Sequence, residues 1–217
     1  MAEQPKQKPV LPEIPPFLHA TDKRTTILRA AMFQFLQKGY SATTMDAITL
    51  EAGVSKATVY AHFSSKEALF EMLMREGSAA VFSEFPLLEH HGGDPEEELH
   101  NFLVGVLEHI LIRGGCSWDR LIIAEAVRHP HLSKLFRQCT LDRLTVSLEQ
   151  YLQRLVAEQQ ALVGNSRMLA ESLLALTVIG ALHHVLLNGP PNEVDGKRLR
   201  FEIRLFLRGI GISGSFP

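Results

Sequence analysis

Cysteine is scarce in this chain of 217 residues, which holds only Cys116 and Cys139. Two thiols cannot build a disulfide framework or a cysteine-rich metal site. The expectation is a reduced, cytoplasmic protein with both thiols buried as small apolar side chains. An excess of one charge is also missing: 22 Lys and Arg face 24 Asp and Glu, a net −2, which by itself suggests no partner. Met1 to Ala20 has no apolar run fit for a signal-peptide core. It carries five of the eleven prolines and reads as a flexible, extended arm, with Lys6 and Lys8 offset by Glu3 and Glu13. No nucleophile elbow, phosphate-binding glycine loop or metal-ligand set is present. Nothing therefore supports an enzyme, and no cofactor is implied. His90 and His91 lack a third ligand at suitable spacing and read as part of a solvated turn. The most apolar stretch, Leu173 to Leu187, is broken by Thr177, Gly180, His183 and His184. It is expected to be too short and too interrupted for a membrane span.

What is present is helical periodicity around one segment, Thr43 to Lys66. Thr43 can cap a helix with Asp46 three residues on, and Met45, Ile48 and Ala52 then repeat at helical spacing. Gly53 supplies the positive φ of a chain reversal. Ser55 caps a second helix whose Val59 and Phe63 lie four apart on an inward face. Ser64 and Glu67 form another capping pair and start a third helix. Two short helices about a glycine turn describe a helix-turn-helix. In the second helix Ala57 and Ala61 point away from the core, which suits a major groove, where Ala meets a thymine methyl. Lys56 can reach a guanine edge or a phosphate, while Thr58, Tyr60 and His62 suit phosphate oxygens. The helix starts at Thr43, Thr44 and Lys66 favour phosphate through their free N–H groups. The same pattern is compatible with a helical interaction module in which the helix-turn-helix is only structural. Charge distribution favours DNA. Residues 21–66 hold six basic and three acidic side chains, whereas 67–217 hold 14 basic and 19 acidic.

The run GYSATTMDAITLEAGVSKATVYAHFSSKEALF, Gly39 to Phe70, preceded by ILRAAMFQF, resembles the N-terminal domain of TetR/AcrR-type transcriptional regulators. Two positions depart from the common pattern: Thr49 stands where Ala is usual and Ala57 where Gly is commonest. The resemblance makes Ser55 to Phe63 the recognition helix. It carries DNA contacts onto Lys56, Ala57, Thr58, Tyr60, His62 and Lys66.

The remaining chain reads as further helices. Asp22 to Lys38 has a broad apolar face through Ile27, Ala31 and Phe35, and a helix from Ser65 runs to about Phe82. Another begins at Glu96–Glu98 and carries Leu99, Phe102, Leu103, Val106, Leu107 and Ile110 to Gly114–Gly115. Trp118 to Arg128 follows, then one long helix from Leu132 to Gln159. IIAEAVRHPHLSKLF resembles the ligand-binding domain of the AefR-like subgroup. Apolar positions exceed what one packing seam needs, as expected around a cavity. Phe102, Val106, Trp118, Ile122 and Phe136 are candidate walls, with His109, Glu125 or Arg128 as polar anchors. Such an aromatic is more often core than pocket wall, and Glu125 with Arg128 also reads as a structural pair. Ser166 to Leu187 and Arg198 to Arg208 resemble the last two TetR helices, which pair with their copies. Their excess apolar surface points to the same homodimer.

These readings combine into an all-α protein with three parts: a flexible N-terminal arm (1–20), a three-helix DNA-binding domain (21–66) and a larger helical ligand-binding and dimerisation domain (67–217). The expected partners are a double-stranded DNA operator, a small apolar or amphipathic effector and a second copy, with repression the expected outcome and no membrane involved.

Overall fold

The computed structural model describes residues 14–84, 88, 92–114, 116–159, 165–189, 191 and 193–212. Among them every regular element is helical. The chain forms two compact units, one comprising the described residues through Ala80 together with Ser117–Leu135, the other Val81–Cys116 with Phe136 onward.

In the first unit α1 (Lys23–Lys38) is the platform for α2 (Met45–Ala52) and α3 (Lys56–His62). Asp22 caps α1 by accepting from the Thr25 amide and hydroxyl. Ile27, Leu28, Ala31 and Phe35 of α1 are fully buried, as are Ile48 of α2 and Val59 of α3. Leu69, Phe70 and Leu73 of α4 (Lys66–Glu84) join this core, so the unit reaches well beyond the expected boundary at residue 66. It also takes in α6 (Cys116–Glu125) from Ser117 on and the start of α7 (Pro130–Cys139). The Trp118 ring stands edge-on to Phe70 at 6.1 Å.

The end of the expected arm is packed. Pro16–Leu18 forms a 3-10 turn on α1, Leu18 is fully buried, and Arg29 donates to the carbonyls of Leu18 and Ala20. Lys6, Lys8, His90 and His91 lie outside the described residues.

The second unit stacks α8 (Leu141–Gln159) on α9 (Ser166–Leu174), and α5 (Pro95–Leu107) on α11 (Gly196–Gly209), over a shared apolar core. Asp94 caps α5 with Pro95 at its first position. Glu96 does more than favour the helix dipole: it is buried and accepts from Arg204 Nε at 2.7 Å, with Arg200 at 3.5 Å. The Tyr151 hydroxyl donates to Glu98 at 2.8 Å. Both cysteines are buried.

Three features depart from the sequence expectation. The helix expected from Leu132 to Gln159 is two, separated at Thr140, whose hydroxyl donates to the Phe136 carbonyl while Arg137 bonds Asp142 across the break. Among the described residues two π turns occur, Glu108–Ile112 continuing α5 and Ala175–Ile179 joining α9 to α10 (Gly180–Asn188). Because the second keeps the helix unbroken, Ser166–Asn188 runs for 23 residues and is long and apolar enough to cross a membrane, by length and composition alone. The interruptions counted in the sequence, Thr177 and Gly180 among them, do not end it. Only 33% of its apolar window is buried within the chain, which leaves a face needing cover.

Thr43 carries a testable consequence. It is buried and its hydroxyl reaches the carbonyls of Gln34 (3.1 Å) and Gly39 (2.7 Å). Thr43→Val keeps the shape but leaves those oxygens short of a donor. We expect a loss of about 1–3 kcal/mol, read as a lowered urea midpoint, whereas Thr44→Val at the exposed neighbour costs less.

Candidate nucleic-acid interface

The helix-turn-helix forms largely for the reasons its sequence suggests. Gly53 takes φ 64° and ψ 29°, the left-handed geometry that closes α2 and that a side chain resists. Ser55 caps α3 by accepting from the Thr58 amide, and its hydroxyl is 2.8 Å from that of Thr58. Val59 and Phe63 are buried. Two caps differ by one residue from expectation. Thr44, not Thr43, caps α2 by accepting from Ala47, and Ser65, not Ser64, accepts from Ala68 at the start of α4.

With Val59 and Phe63 turned inward, Lys56, Ala57, Tyr60 and Ala61 occupy one exposed arc of α3, about 140° wide at ~100° per residue. His62 is exposed beyond it and Thr58 is half-buried on the flank. Thr44 and Ser55 are exposed at the starts of their helices. Lys56 Nζ lies 2.7 Å from Asp46 Oδ1, and that bond raises the ammonium pKa above its ordinary value. The pair is well exposed and contributes little to stability. Its effect is to hold the one lysine of α3 beside the first turn of α2.

Two candidates face inward instead. Thr43 is the buried strut described above. Lys66 is half-buried, donating to the carbonyls of Tyr40 (2.8 Å) and Thr43 (2.9 Å) and lying 4.3 Å from the Tyr40 ring centroid. Both side chains support the α1–α2 loop by bonding its backbone carbonyls.

Residues 27–73 match the model described as bacterial regulatory proteins, tetR family, and residues 97–208, more than half the chain, match the AefR-like transcriptional repressor C-terminal domain. The chain belongs to the TetR family of transcriptional regulators. Its fold is shared with the flavonoid-responsive regulator FrrA, which is 31% identical, with a TM-score of 0.75 over 88% of this chain and 97% of that one. This TetR-family chain is also 37% identical over 92 residues to the uncharacterized regulator YhgD of Bacillus subtilis, covering 40% of this chain and 46% of that protein. To the regulator UidR of Escherichia coli K12 it is 28% identical over 123 residues, covering 54% of this chain and 59% of that protein. The chain thus spans about half the length of these curated relatives.

The candidate effector residues of this TetR-family protein fall into two sets. Phe102 and Val106 on α5 are buried in the core of the second unit, His109 is half-buried in the π turn after them, and Phe136 is half-buried on α7. Trp118, Ile122 and Glu125 on α6 belong to the first unit. There the Glu125 carboxylate accepts from both the amide and the hydroxyl of Ser41. Arg128 is exposed. Among the described residues no group of three or more His, Cys, Asp or Glu is arranged to hold a metal ion.

Asp119 escaped the sequence reading, since one acid in a helix's first turn looks ordinary. Burial pushes its carboxyl up to about 6, opposed only by its own backbone amide. Because the folded-state value lies above the unfolded one, the unfolded chain gives up this proton first. Stability therefore falls as pH rises from about 4 through 6. Asp119→Asn removes that decline, and we expect a higher thermal midpoint than wild type at pH 7.5 with little difference at pH 4.

Proposed function

We propose that this protein is a repressor acting in the bacterial cytoplasm. It binds a pseudo-palindromic operator as a homodimer and is released by an apolar or amphipathic small molecule. The observation that carries the DNA-reading part is the exposed arc Lys56, Ala57, Tyr60 and Ala61 on a helix anchored by Val59 and Phe63. Alanine on an outward face gives solubility nothing, but it permits close approach to base edges and thymine methyls. Thr44, Ser55, Thr58 and His62 flank the arc as phosphate contacts, helped by the free N–H groups at the start of α2. Two such helices related by a two-fold axis enter successive major grooves about 34 Å apart.

Dimerisation is supported by the uncovered face of the last helices. Ile179 and Leu187 on one, and Phe201 and Leu205 on the other, are exposed large apolar side chains, 71% for Leu187 and 67% for Phe201. A second copy would cover them, and it accounts for the apolar 23-residue helix without a membrane. The effector reading rests on the AefR-like match and on FrrA, which is named for its response to flavonoids. Ligand and operator are coupled only to the extent that the ligand prefers a form unable to span both grooves.

Fluorescence anisotropy with duplex DNA flanking the protein's own gene, under heparin competition, tests the first part. Wild type should bind tightly, and Tyr60→Ala and Lys56→Ala should each weaken binding roughly tenfold or more. Indifference to both would favour the interaction-module reading. For the dimer, Leu187→Glu combined with Phe201→Glu should convert a dimer into a monomer in sedimentation velocity. A wild-type monomer at micromolar concentration would refute that part.

A further inference from the structure

The loop from Gly39 to Thr43 leads directly into Thr44, the cap of α2, and it is held from three directions. The Thr43 hydroxyl bonds the Gly39 carbonyl, and Lys66 bonds the carbonyls of Tyr40 and Thr43. The third hold comes from α6: Glu125 Oε1 accepts from the Ser41 amide at 2.9 Å and Oε2 from the Ser41 hydroxyl at 2.6 Å. Glu125 is 6% exposed, so its charge depends on these two donors.

The surroundings fit that use. Gly39 sits at φ 86°, and a Cβ there would meet Glu125 Oε1 at 3.2 Å, so the loop passes where only glycine fits comfortably. His129 Nε2 is 3.1 Å from the Ser41 hydroxyl, and its ring lies edge-on to Tyr40 at 4.9 Å. Burial raises the Glu125 carboxyl, but the Ser41 hydroxyl and amide, with His129 and Arg128, outweigh it and leave it below the ordinary range. Serine, histidine and glutamate together suggest a hydrolase, yet the carboxylate bonds the serine itself and stands 4.0 Å from the histidine. Glu125 therefore does not orient His129 as a base. The arrangement is a clamp on a backbone loop.

The geometry points to Glu125 as a positioning residue for DNA binding, acting through Ser41 to fix the start of α2. This rests on the DNA-binding reading above and adds to it a contact made by α6. Thr44 and the free amides of α2 meet phosphate only if the loop before them is fixed, and Glu125, with His129 beside it, holds that loop from outside the helix-turn-helix and its adjoining helices. It is an acid that the sequence reading set against an effector, and the structure puts it to another use.

The test uses full-length protein and a duplex selected from random DNA by the wild type, titrated by fluorescence anisotropy. Ser41→Ala removes one of the two donors to the buried Glu125 carboxylate and should lower the thermal midpoint modestly, so every titration is run well below the midpoint of each variant. We expect Ser41→Ala and Glu125→Ala each to weaken binding roughly tenfold, and the double variant to bind no more weakly than Glu125→Ala alone. Ser41→Thr, which keeps the hydroxyl, should retain wild-type affinity. Unchanged affinity in both single variants would overturn the proposal, as would losses that multiply in the double variant, or losses that only track a lowered thermal midpoint. Failure of the wild type to select any duplex would instead overturn the DNA-binding reading itself.

Discussion

The placing of Tyr40, a large polar-tipped ring buried at a loop, constrains the first unit, because four neighbours must meet around it. Phe35 stacks on it at 5.4 Å, Phe70 meets it edge-on at 5.5 Å, His129 closes another edge, and Lys66 lies over its ring. These groups come from α1, α4 and the segment after α6, so one side chain ties together elements far apart in sequence. Each aromatic pair contributes about 0.5–1.5 kcal/mol beyond simple burial. Burial and the nearby Glu67 carboxylate raise the Tyr40 pKa above its ordinary value, which keeps the ring neutral. With Tyr40 fixed, the carbonyls of the following loop are presented to Lys66 and the amide of Ser41 to Glu125. The helix-turn-helix is thus oriented from behind, and its exposed arc takes no part in that packing.

That division of labour explains the small outward residues of α3. Orientation comes from Val59, Phe63 and the platform, so Ala57 and Ala61 need contribute nothing to folding beyond helix propensity. The cost of that freedom is low, since exposed alanine favours helix. The second unit shows the opposite economy. Its last helices bury one face in a dense core and leave Leu187 and Phe201 in the open, where solvent exposure of large apolar groups is unfavourable without a covering surface.

Much of this was legible in the residues. The inward spacing of Val59 and Phe63, the Gly53 turn and the Ser55 cap each follow from local chemistry acting over three or four residues, and such rules survive in any tertiary setting. Errors arose where two equivalent residues adjoin. Thr43 and Thr44 can both cap, as can Ser64 and Ser65, and in the first pair burial takes Thr43 out of the role, which no local rule contains. The break at Thr140 was hidden because its flanks keep helical periodicity, and the π turns left no signal because a single extra residue per turn is set by packing. Glu125 was read as one of a pair with Arg128 or as an anchor for a ligand. Its partner Ser41 is 84 positions away, beyond the reach of pattern. Trp118 and Phe136 were visible as aromatics, but composition does not tell wall from core.

The passage of the chain through its two units has a consequence for modularity. α6 and the start of α7 are encoded more than thirty positions after the end of α4, yet they complete the unit that contains the helix-turn-helix. The reading head is therefore discontinuous in the gene. A recombination joint placed in α4 would transfer the helices that face DNA while leaving Glu125, His129 and Trp118 behind, so Ser41, Tyr40 and Phe70 would meet whatever the recipient supplied. Exchange of operator specificity between such proteins by simple fusion is constrained accordingly. In this chain the helix-turn-helix keeps its packing partners only when it travels together with that later segment.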